Sequence, residues 1–200
     1  MTEGASDAML ARILESLCVR AGAREAVVRW VDFGRLGVRP GHTVVEKVRG
    51  ALGAYSDVNL TFVHRDADGP SPTARRAEIA DAGVALRSAT LVPVVPIQET
   101  EAWILVSGED AIRAAAGQPR GRGTLAVPRP GAIEERARPK ELLQRLVDDA
   151  QIDLPRRHRP PFAVVRRLLL ERLDPDGPIR DVPAFRQLRD DIAAAIDRLR

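Results

Sequence analysis

The side chains best suited to chemistry in this chain of 200 residues are acidic. In VNLTFVHRDADG, at 58–69, an apolar run ends abruptly in Asp66-Ala67-Asp68-Gly69. An apolar run bounded by turn signals reads as a buried strand, so the two aspartates fall where that strand emerges into its loop. On an extended backbone, carboxylates at i and i+2 point the same way and can face one cation, which suits a Mg²⁺ or Mn²⁺ site for phosphate chemistry. The same tetrapeptide is also an ordinary polar turn, since Asp and Gly are turn formers.

More acids follow. Glu99 and Glu101, in PIQETEAW, come after the next apolar run, so the two pairs can meet across adjacent strand ends. Four carboxylates in one crevice repel unless a divalent cation or protons neutralise them. Glu3, in EGASD, precedes the first helical pattern; it reads as a flexible terminus or as an acid beside a helix N-terminus, where a metal-bound phosphate is also favoured.

The elements that must position these acids alternate. DAMLARILESLCV (7–19) has helical apolar spacing, AVVRWVDF (26–33) is strand-like, and HTVVEKVRGAL (42–52) returns to helical spacing. The strand at 58–69 follows, then a helix over 71–86 opened by Ser71-Pro72. TLVPVVPI (90–97) reads as a strand whose prolines point to an edge or bulges, and ETEAWILV (99–106) as a helix. This alternation predicts an α/β domain over residues 1–116, a mainly parallel sheet with helices on both faces. In such sheets ligands collect beyond the carboxyl ends of the strands, where the acids lie.

Residues 117–139 are rich in Gly, Pro and Arg, which predicts a flexible loop or lid that is poorly ordered without ligand. Residues 140–200 carry three helical patterns, at 140–150, 162–173 and 184–199, and form a helical C-terminal part.

The chain resembles the Toprim domain, the acidic fold shared by topoisomerases, bacterial primases and OLD-family nucleases. The resemblance rests on Glu3 in a Glu-Gly-x-Ser/Thr-Asp-like turn and on Asp66-x-Asp68 after an apolar strand, and it covers about residues 2–106. ETEAW, RPKELL and VPAFRQL more narrowly resemble bacterial Toprim-like proteins associated with phage defence. The resemblance implies a Toprim-like Rossmannoid sheet, with Asp66 and Asp68 holding Mg²⁺ and Glu3 acting as metal ligand or general acid/base on a phosphodiester. Glu99 and Glu101 would hold a second ion, and a partner ATPase or defence protein is expected. A Toprim glutamate stands at the end of a first apolar strand, yet only Met1 and Thr2 precede Glu3; either the natural start lies upstream or the sheet has lost that strand.

Composition narrows the function. A hydrophobic content of 44% with 30% charged residues is that of a soluble globular protein, expected in the cytoplasm, with no apolar run long enough for a membrane span. The formal charge of +3 permits a nucleic-acid partner without requiring one. Only Lys47 and Lys140 are lysines, and the arginine bias fits a GC-rich genome as well as nucleic-acid binding. Cys18 is the one cysteine and reads as a buried apolar residue. Tyr55, the one tyrosine, is in a turn, which argues against a topoisomerase, and no glycine-rich P-loop is present.

Other side chains have two readings each. Arg65 either meets phosphate or pairs with acidic neighbours, and Lys140 either stabilises an oxyanion or is solvated at a helix start. Trp103 reads as a core anchor before a stacking platform, and Arg156-Arg157-His158-Arg159 as a phosphate track or a solvated loop. The functions consistent with all this are metal-dependent hydrolysis of nucleic-acid phosphodiesters, a non-catalytic binding module that keeps the fold, and nucleotidyl or phosphoryl transfer.

Overall fold

A computed structural model describes residues 8–39, 41–55, 57–69, 71–87, 89–119 and 121–200. The chain is mixed α/β and divides into two compact units that interleave in sequence. The first comprises 1–67, 71–95 and 187–200; the second comprises 68–70 and 96–186. Among the described residues no helix is long and apolar enough to cross a membrane.

In the first unit β1 (Thr61–His64) and β2 (Leu91–Val94) pair in parallel, with Val63 opposite Pro93 and His64 opposite Val94. Parallel strands need a crossover, here α3 (Thr73–Ala85). Ser71 Oγ accepts the Thr73 N–H at 3.3 Å as that helix begins. Helix α2 (Val44–Ala54) starts at a capping box in which Thr43 accepts the Glu46 N–H and Glu46 accepts the Thr43 N–H. Val44 and Val48 of α2, Ile79 and Ala82 of α3, Val63 and Val95 form one buried cluster between helices and strands. Helix α1 (Leu10–Arg20) buries Leu10, Ile13, Leu14, Leu17 and Cys18, the stripe expected of its spacing. Cys18 packs in the core with these apolar residues, and burial pushes its thiol up.

The strand expected at 26–33 does not form. Its residues are irregular, Val27 is 68% exposed, and the Val28 N–H donates to a carboxylate oxygen of Glu15 on α1 at 2.9 Å instead of joining a ladder. Alternating burial by itself does not make a strand without a neighbour to pair with. The sheet of the described residues is therefore the β1–β2 pair.

The second unit is helical: α4 (Glu101–Leu105), α5 (Gly108–Ala115), α6 (Pro139–Ala150) and α7 (Phe162–Glu171). Helices α4 and α5 each pack on α6 and α7. Trp103 is fully buried and meets Phe185 edge to face, ring centroids 5.4 Å apart, so it is the core anchor and not a stacking platform. Helix α8 (Pro183–Asp197) begins in this unit and passes into the first at Gln187.

The described residues of 117–138 contain no α-helix or strand, and the segment is anchored at three points. Ile133 is fully buried, the Arg113 guanidinium donates to the carbonyls of Arg122 and Gly123 at 3.2 and 2.9 Å, and Glu134 accepts the Ala184 N–H at 3.0 Å at the start of α8. A chain held this way is not a free lid.

Candidate functional site

The ladder runs one residue past β1, the Arg65 N–H reaching the Val94 carbonyl at 3.1 Å. Side chains alternate from there. His64 is buried and its Nε2 lies 3.7 Å from Asp66 Oδ1, two residues on, while Arg65 points elsewhere and meets Glu78 of α3 at 3.3 Å. Arg65 is thus paired with an acid of the crossover helix. Asp66 keeps a quarter of its side chain exposed.

Asp68, in the second unit, leaves the extended run: its φ is +53°, so the i, i+2 alternation that joins His64 and Asp66 stops there. The exposed Asp68 donates its backbone N–H to the Gln98 carbonyl at 3.2 Å, and the Gln98 N–H donates to the Gly69 carbonyl at 3.3 Å. Gln98 is also left-handed, with φ +64°. The next residue, Glu99, accepts the Lys140 N–H in the first turn of α6 at 3.1 Å through Oε2, and the residue preceding α6 is Arg138, with φ +58°. These three are the non-glycine residues at positive φ among those described, and all lie in one short network. A left-handed non-glycine residue costs about 1–3 kcal/mol, and such residues gather at ligand sites.

The carboxylate of Glu99 therefore serves the fold, because an anionic acceptor at a helix N-terminus satisfies an orphan N–H and complements the helix dipole. Lys140 and Arg138 stand exposed beside it, with Arg138 Nη1 3.4 Å from Glu141. Glu101 goes inward. It is buried, and its Oε1 takes the Arg166 Nε–H at 2.7 Å. As a ligand for a second ion it would have to give up a guanidinium that is buried with it.

Arg166 escaped the sequence reading. Its signal was present: an arginine among Val165, Leu169 and Leu170 on the buried face of α7 demands a buried acid. Glu3 lies outside the described residues.

Among the described residues no group of three or more His, Cys, Asp or Glu side chains gathers to hold a metal. Mg²⁺ is commonly held by only one or two carboxylates, with water and substrate phosphates completing the shell. Asp66 and Asp68 each carry hard oxygen donors of that kind, so the donor chemistry fits. The first unit also contains a cleft of about 840 Å³ between α1 and β1, lined by Leu10, Leu14, Cys18, Phe62 and His64.

No protein-family model matches the chain, and neither does any curated protein or any solved structure.

Proposed function

We propose that the chain is a Toprim-like, Mg²⁺- or Mn²⁺-dependent hydrolase of nucleic-acid phosphodiesters, serving as an effector in phage defence. The observation that carries this reading is the left-handed pair Asp68 and Gln98. It ties together the segments that follow β1 and β2, so that Asp68 and Glu99 come from paired backbone at the carboxyl ends of parallel strands. In this reading Asp66 and Asp68 hold the cation, His64 steadies Asp66, and Glu3 transfers the proton. Glu99 orders the start of α6, which keeps Lys140 and Arg138 available to substrate phosphates. A bound divalent cation supplies Lewis-acid stabilisation of the phosphoryl oxygens.

Calorimetry with Mg²⁺ and Mn²⁺ tests it, on the wild-type chain and on Asp66→Ala with Asp68→Ala. Binding lost in the double variant, followed by metal-dependent cleavage of labelled DNA or RNA that the same variant lacks, is the expected result. Unchanged binding in the variant, or none in the wild type, returns Asp66-x-Asp68 to a turn.

A non-catalytic module is the second reading, and the Glu101–Arg166 pair favours it, because one of the five candidate acids is spent inside the core. Metal binding without cleavage of DNA, RNA or nucleotides would select it.

A further inference from the structure

We propose that two arginine-bearing segments of the second unit, one at Gly117 and 121–123 and the other at 154–160, form one surface that binds the phosphodiester backbone of nucleic acid. This rests on the reading above only for the class of partner.

The turns meet: the place a Cβ on Gly117 would take lies 3.7 Å from Leu154 Cδ1 and 3.8 Å from Pro160. Each turn is braced by cations or amides directed at its own backbone. Arg113 holds the carbonyls of Arg122 and Gly123, and its nearly buried guanidinium is itself fixed by Glu109 at 2.7 Å. Arg159 donates to the carbonyls of Leu154 and Ile152 at 2.8 and 3.1 Å, and Gln151 donates to that of Pro160 at 2.9 Å.

Fixed by these bonds, the turns present Arg122, Arg156 and Arg157 outward, all exposed. None of the three forms an ion pair with a carboxylate among the described residues. Some arginines elsewhere do meet an acid, such as Arg29 with Asp57, Arg76 with Asp191 and Arg167 with Glu171. Arg157 Nε instead donates to His158 Nε2 at 3.3 Å. Guanidiniums without a carboxylate partner on prefixed backbone match a phosphate row, since they neutralise charge and release counterions while few loop residues must be ordered on binding. Few aromatic residues are available for stacking, so the grip is on the backbone and indifferent to base sequence.

The test is fluorescence anisotropy of the full chain with labelled single-stranded and duplex DNA and RNA, in EDTA so that nothing is cleaved. Arg122→Gln with Arg156→Gln and Arg157→Gln is compared with Arg145→Gln, Arg189→Gln and Arg198→Gln, which remove the same charge from exposed positions elsewhere. The first triple should weaken binding about ten-fold or more, and flatten the slope of log K against log salt by roughly 2–3. The second should leave that slope near wild type. Matching melting temperatures verify that both triples fold. Equal losses in the two triples, wild-type binding in the first, or no binding by the wild type each overturn the surface. Cleavage of a small chromogenic phosphodiester, which needs no backbone grip, reports separately on Asp66 and Asp68, so failure of the surface and failure of the hydrolase are distinguishable.

Discussion

The backbone N–H of Asp68 meets the carbonyl of Gln98 at 3.2 Å while both residues hold positive φ, +53° and +64°. Aspartate tolerates that conformation through its short polar side chain; glutamine does so less readily. The strain at Gln98 is held by the paired bonds to Asp68 and Gly69, and it sets where Glu99 begins.

Gln98→Gly should therefore stabilise the fold by up to about 1 kcal/mol, and Gln98→Val should destabilise it by more than that, because a β-branched residue resists positive φ. Urea denaturation measures both. If strain there serves the site, the glycine variant gains stability and loses metal affinity together.

The buried pair Glu101–Arg166 makes a second prediction. Arg166→Leu or Glu101→Leu should each cost about 3–5 kcal/mol by leaving one charge buried and alone, whereas the double Leu variant should be more stable than either single one. A double-mutant cycle by chemical denaturation measures this, and additive losses would contradict it.

Burial pushes the Glu134 carboxyl above its ordinary range, against the pull of the Ala184 N–H and of Arg186. The folded chain then keeps that proton to higher pH than the unfolded chain does. Its contribution to stability is complete below the unfolded pKa and is lost as pH rises through the folded one. Glu134→Gln keeps an acceptor for Ala184 without the ionisation. Thermal melts should show the Gln variant gaining on wild type as pH rises from about 4 to about 7; a constant difference would show that burial does not govern this carboxyl.

Arg113 predicts the fate of the Gly/Arg-rich segment. Arg113→Lys keeps the charge but loses the fork that serves Glu109 and two carbonyls at once. Limited proteolysis should cut near 121–123 several-fold faster in that variant, with the core helices unaffected. Gly121→Ala should act alike, because a Cβ there would overlap the Arg113 guanidinium.

What the sequence revealed best was periodicity backed by burial. Helices α1, α2, α3, α6, α7 and α8 follow apolar residues at three- and four-residue spacing, and both strands fall inside their expected runs. Period two at 26–33 misled because a strand is a relation between segments, and Val28 found Glu15 on a helix instead. Helix α5 was hidden by Gly108, whose φ of +82° divides what reads as one apolar stretch from the next. In the site, Asp66 and Asp68 were legible as acids after a strand. The partition of Glu99 to a helix N-terminus and Glu101 to a buried guanidinium was not, because it depends on α6 and α7, which are distant in sequence.

The division of α8 between two units bears on the order in which the chain can be finished. Residues 187–200 bring Leu188, Ile192, Ala195 and Ile196 into buried positions, and Asp191 to within 2.8 Å of Arg76. They also leave the ribosome after residues 96–186. The sheet-bearing unit is thus completed only after every residue of the helical unit has been synthesised. A nascent chain therefore carries β1, β2 and their helices without the closing segment throughout that interval, and a nonsense change near residue 186 would remove the last segment of the sheet-bearing unit while sparing residues 96–186.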